Sequence, residues 1–92
     1  MENKKVIITV LGKDTVGIIA KVCTYLADEN INILDISQTI VQGYFNMMMV
    51  VDISNKKKVF GQVAEELEQI GLEIGVMIKC QKEEIFDSMH RI

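Results

Sequence analysis

The chain reads as an α+β protein on the ferredoxin-like βαββαβ plan. That plan is a sandwich with a four-stranded antiparallel sheet, two helices on one face and here a short C-terminal helix. Three observations predict it. Four runs of β-branched or alternating apolar residues begin at Val6, Ile31, Tyr44 and Leu72. Two stretches with helical apolar spacing separate the first run from the second and the third from the fourth. Only Gln42-Gly43 separates the second run from the third, which makes the middle pair a hairpin.

Each element has its own justification. Val6-Ile7-Ile8-Thr9-Val10-Leu11 is a continuous apolar run suited to a central strand, and Gly12 breaks it. Ile19, Val22, Cys23 and Leu26 then recur at helical spacing, with Asp14 or Thr15 placed to cap the helix start. Asp28-Glu29-Asn30 closes that helix, because Asn30 tolerates the left-handed conformation common at helix ends. In the second strand, Ile31 to Val41, Ile31 and Ile33 share one parity and Leu34, Ile36 and Ile40 the other. A β-bulge near Ile33-Leu34 reconciles them.

Phe45, Met47, Met49, Val51 and Ile53 alternate along the third strand, Tyr44 to Ile53. Ser54-Asn55 opens the second helix, Phe60, Val63, Ala64 and Leu67 form its apolar stripe, and Gly71 stops it after Ile70. Leu72, Ile74, Val76, Ile78 and Cys80 alternate as the fourth strand. Glu83 to His90 places Ile85, Phe86 and Met89 on one side of a terminal helix. Residues 1–82 thus form one domain and 83–92 a helical extension.

Composition narrows the function. With 92 residues the chain has room for one small core. Ten basic against thirteen acidic side chains leave a net charge of −3, which offers no broad attraction to nucleic acid or an anionic membrane. No apolar run is long enough to span a bilayer or serve as a secretion signal, so a cytoplasmic location is expected. Cys23 and Cys80 are far apart and lack a CxxC spacing, which predicts free thiols. No cluster has metal-ligand spacing, so neither a metal nor a cofactor is expected. Neither is an enzyme, since no nucleophile or acid–base pair stands out as catalytic. The single arginine, Arg91, lies far from the first turn, where an acyl-phosphate hydrolase of this shape would need one. Gln42-Gly43-Tyr44-Phe45 lacks the basic residue and the later aromatics of an RNA-recognition strand.

The distinctive stretch is Gly12-Lys13-Asp14-Thr15-Val16-Gly17-Ile18-Ile19, a glycine-flanked polar turn between strand and helix. Backbone N–H groups at a helix start suit a carboxylate, Gly17 permits close approach, and Asp14 can accept from an ammonium. Each residue also has a plainer reading. Asp14 serves as a helix cap, Gly17 eases helix–strand packing, and Gly12 ends a strand.

This stretch, together with Ala20-Lys21-Val22-Cys23-Thr24-Tyr25-Leu26-Ala27 and Asn30-Ile31-Asn32-Ile33-Leu34-Asp35, resembles the ACT domain, a regulatory module of amino-acid metabolism. The pattern is similar to the ACT modules of a glycine-cleavage repressor and of formyltetrahydrofolate deformylase. Val16 departs from it, standing where the family often has proline. The resemblance implies a homodimer that binds a small amino acid or related metabolite at its interface. It places that ligand among Gly12, Lys13, Asp14, Thr15, Val16, Gly17 and Ile18, with Asn32 as a second polar contact. It also implies a regulated enzyme or regulator protein as a further partner. The alternative is an interaction or structural module of the same fold with no ligand.

Overall fold

The structure is a computed structural model and describes residues 5–13, 17–54 and 59–83. Its elements are β1 (Lys5–Lys13), α1 (Ile18–Asp28), β2 (Asn32–Val41), β3 (Tyr44–Asp52), α2 (Phe60–Ile74) and β4 (Val76–Lys82). The four strands form one antiparallel sheet in the order β2-β3-β1-β4. The ferredoxin-like plan expected from the sequence is the plan observed.

β1 is hydrogen-bonded on both sides, to β3 and β4, and its Val6, Ile8 and Val10 face the helices. Phe45, Met47, Met49 and Val51 of β3 and Val76 and Ile78 of β4 share that side. Ile18, Val22 and Leu26 of α1 and Val63 and Leu67 of α2 close the core from above. The period-2 pattern of β3 meets the helical stripes there, as the sequence predicts. Burial pushes the Cys80 thiol beside this core up to about 12, so it is neutral at physiological pH.

The α1 C-terminus is a Schellman motif. Asn30 sits at φ 59°, its N–H donates to the Ala27 carbonyl, and the Ile31 N–H donates to the Leu26 carbonyl. The register slip between Ile33 and Asp35 is the expected bulge. It brings Ile33, Ile36 and Ile40 to the helix-facing side of β2, opposite Val51, Met49 and Phe45. The hairpin turn has both Gln42 and Gly43 at positive φ, the conformation that matches strand twist in a two-residue loop.

Several expectations need correction. β1 runs through Gly12 to Lys13, so Gly12 sits inside the strand. α1 buries Ile18 and leaves Ile19 partly exposed, because the helix begins immediately after Gly17 and that fixes its rotation. The cap position is Gly17, which has no side chain to cap with; Asp14 and Thr15 lie outside the described residues. α2 begins at Phe60, not at Ser54-Asn55. Its first turn is closed by the Gln62 N–H donating to the Val59 carbonyl, with the Val59 N–H reaching the Gln62 Oε1 at 3.4 Å. α2 also continues past Gly71 and stops at Gly75, φ 80°. Leu72 and Ile74 are therefore helical rather than part of the fourth strand. The terminal helix expected over Glu83 to His90 lies, apart from Glu83, outside the described residues.

Gly71 is a packing residue. A Cβ there would stand 2.7 Å from the Val76 carbonyl oxygen and 3.0 Å from Ile78 Cγ1. Gly71→Ala should therefore destabilise the fold despite alanine's better helix propensity, by about 1–3 kcal/mol. Thermal unfolding followed by circular dichroism checks this, and an unchanged or higher Tm would refute the packing role.

Candidate ligand-binding site

The corner between β1 and α1 is built by two glycines with different tasks. Gly12 pairs with Phe45 on one side and Val76 on the other, and a Cβ there would meet Val76 Cγ1 at 2.8 Å. It lets the central strand close against β4. Gly17 stands at φ 92°, a conformation L side chains rarely adopt, and among the described residues nothing lies within 4 Å of where its Cβ would be. That corner is open on the side where Gly17 lacks a side chain.

The first intrahelical bond of α1 runs from the Lys21 N–H to the Gly17 carbonyl. The N–H groups of Ile18, Ile19 and Ala20 consequently have no partner within the helix, and the positive end of the dipole points the same way. Ile18 itself is 2% exposed, so it offers the site only its backbone. Lys13 ends β1 opposite Tyr44. Asp14, Thr15 and Val16 fall outside the described residues.

From Gly17 an open groove of about 500 Å³ runs along α1, lined by Ala20, Lys21, Thr24, Tyr25 and Asp28 and by Ile70 of α2. The sequence reading passed over this row, although its spacing marks one outer helix face. The Tyr25 hydroxyl donates to Glu66 Oε1 at 2.7 Å and ties α1 to α2. Burial, and then the Glu66 carboxylate, raise the Tyr25 pKa above the ordinary tyrosine range.

Asn32 lies elsewhere. It opens β2 opposite Asp52, and Asp52 is opposite Lys5, the start of β1. Gly12 and Gly17 are at the other end of that nine-residue strand, a span of roughly 26 Å. Within one copy the structure brings Gly12, Lys13, Gly17 and Ile18 together and leaves Asn32 apart. Beside Asn32 is Asp52, a carboxylate that no motif in the sequence marks. It accepts from the Ser54 hydroxyl and from the Ser54 N–H at 2.8 Å, and these bonds hold its pKa below the usual carboxylate value. Among the described residues, no group of three or more His, Cys, Asp or Glu side chains could hold a metal ion. No described helix is long and apolar enough to cross a membrane.

A family model described as the ACT domain matches residues 4–81. A UPF0237 protein of Bifidobacterium longum is 65% identical over 88 residues, covering 96% of this chain and 98% of its own length. The solved structure of an ACT domain protein from Streptococcus pneumoniae superposes with a TM-score of 0.81 at 43% identity, covering 94% of this chain and 97% of that one. A formyltetrahydrofolate deformylase from Pseudomonas syringae also superposes at 0.81, but at 21% identity and over 28% of its length. That last likeness is one of fold.

Two outcomes follow from the site's geometry. Gly17→Ala should cost about 1–2 kcal/mol through backbone strain alone, since space for the methyl is free, and Gly17→Asn should cost less. Thermal unfolding of both variants checks the order. Asp52 has a depressed folded pKa, so the stability it contributes is present above about pH 3.9 and is lost as pH falls through the folded value. Ser54→Ala removes the hydroxyl donor and should move the Asp52 titration upward, as read by carboxyl-carbon NMR. An unmoved titration would rule out the hydroxyl as the main cause.

Proposed function

The chain belongs to the ACT-domain family of regulatory ligand-binding modules, and from that premise we propose that it binds a small amino acid or related metabolite between two copies of itself. The observation that carries this reading is the open corner at Gly17. A positive-φ glycine with free space over it stands at a helix start whose N–H groups suit a carboxylate. In this reading Lys13, Asp14, Thr15 and Val16 also contact the ligand, with Asp14 as the acceptor for its ammonium.

The second half of the site comes from the partner. All ten residues of β2 are exposed, including Ile36 and Ile40, and β2 is an edge strand carrying neither Lys nor Pro. Such an edge is a template for pairing with another chain. Two β2 strands pairing antiparallel about a twofold axis bring the start of one to the end of the other. The partner copy's Asn32 then arrives at the same end of the sheet as the glycine corner. An amide there can donate to a carboxylate and accept from an ammonium. A ligand bridging the two copies shifts the dimer's stability or shape, and with it the affinity for a regulated enzyme or regulator protein.

A thermal-shift screen of the full chain against the twenty amino acids tests this. A ligand at 100 times its Kd should add about 2.7 kcal/mol. Asn32→Ala should abolish the shift without lowering the ligand-free Tm, and Ile36→Asp should give a monomer in sedimentation that no longer responds. If the chain is dimeric and no amino acid moves the Tm, it is an interaction module without a ligand. If a monomer binds with full affinity, the shared site is wrong.

A further inference from the structure

The groove along α1 carries opposite charges toward its two ends. Lys21, Thr24 and Asp28 follow one another at i, i+3 and i+7 and form a single row, with Lys21 toward the helix start and Asp28 in the last turn. Each charge is placed against the helix dipole, which favours anions near the start and cations near the end. Neither is answered within the helix. Three and four residues from Lys21 stand Ile18, Gly17, Thr24 and Tyr25, and the same steps back from Asp28 meet Tyr25 and Thr24. Lys21 and Asp28 are also too far apart to pair. Seven residues separate them by about 10.5 Å, and long helical side chains lean toward the helix start. Ile70, half-buried on α2, and Tyr25, whose hydroxyl is held by Glu66, give the row an apolar wall.

We propose that this groove binds a zwitterionic dipeptide, its carboxylate on Lys21 and its ammonium on Asp28. Length decides the class. Charge-assisted hydrogen bonds of about 2.8 Å at each end leave roughly 5–7 Å between the ligand's own charged groups, the lysine stem taking up the difference. Two residues of extended chain span about 7 Å, whereas the nitrogen and carboxylate carbon of a free α-amino acid are only about 2.5 Å apart. Charge agrees with this orientation. The ligand's anionic end lies toward the positive end of the α1 dipole and its cationic end toward the negative one. Thr24 stands midway, where its hydroxyl can donate to or accept from the ligand's peptide group. Ile70 and the Tyr25 ring suit an apolar side chain. The groove's volume of about 500 Å³ lies within the range of roughly 300–1,000 Å³ usual for small-molecule sites. It belongs to one copy and uses neither Asn32 nor the β2 edge, so it is distinct from the interface site proposed above.

Titrating the full, nitrogen-15-labelled chain with L-alanyl-L-leucine tests this by NMR. The amide resonances of Lys21, Thr24 and Asp28 should move together and saturate. Lys21→Gln and Asp28→Asn, both at exposed positions, should each raise the Kd about tenfold while the rest of the spectrum stays that of the folded chain. Acetylating the peptide's amino end or amidating its carboxyl end should weaken binding by a similar factor. 6-Aminohexanoate, which has the length but no peptide group, should bind more weakly than the dipeptide. Ile36→Asp should bind the dipeptide with an unchanged Kd, so a failure of the interface site would leave this result standing. The absence of saturable shifts, shifts confined to residues outside the groove, or equal binding by the blocked peptides or by 6-aminohexanoate would each overturn the proposal.

Discussion

Most of what this chain does spatially depends on β1 being paired along both edges. A strand in that position must present one face to the helices, so Val6, Ile8 and Val10 become the floor of the core. It must also let a neighbouring backbone pass closely at its far end, and Gly12 meets that need against Val76. Once β1 is fixed centrally, its exit point is fixed too. The chain leaves the sheet at Lys13 and must reverse to lay Ile18, Val22 and Leu26 onto the floor it has just made. Gly17, left-handed, leads directly into that helix, and among the described residues nothing stands over the position of its missing Cβ. The candidate site is thus a by-product of how the core strand is connected to the first helix.

The same connectivity explains why the fold was easier to read than its details. The alternation of Phe45, Met47, Met49 and Val51 is a property of β3 alone and survives any arrangement of neighbours. The phase slip in β2 was legible for the same reason, because only a bulge lets Ile33, Ile36 and Ile40 share a face. Gly71 and Gly75 are different. Both look like helix stops, and only the return of β4 against α2 decides between them, through the carbonyl of Val76. Ile74 compounds the ambiguity, fitting the helical spacing from Ile70 and the strand alternation toward Val76. Ile18 and Ile19 are adjacent and equally apolar, so their order of burial depends on where the helix begins.

The site was legible in part. Glycine punctuation at Gly12 and Gly17 is visible in any sequence, although their separate tasks are not. The distance of Asn32 from that corner is a consequence of topology, since β2 must start at the end of the sheet where α1 finishes. Asp52 was invisible because its environment comes from Ser54 folding back on it after β3 has ended. The exposure of β2 was hidden most deeply. Ile36 and Ile40 look like core residues by composition, and only the strand order leaves Ile40 59% exposed.

In the proposed function, that exposure ties ligand binding to self-association. An amino acid is far shorter than the roughly 26 Å separating Asn32 from the glycine corner along the strands. Asn32 and Gly17 of one copy cannot hold opposite ends of the same small molecule. Either Asn32 takes no part, or the molecule sits between two copies whose β2 edges have met. In the second case each copy lends an acceptor-bearing strand start and receives a helix start in return, as a twofold axis requires. Affinity then depends on protein concentration as well as on the ligand, because assembling the pocket includes the cost of association. In the proposed reading, the module would respond to a metabolite by changing how firmly two copies hold together, and the apolar row on β2 would give that response a surface on which to act.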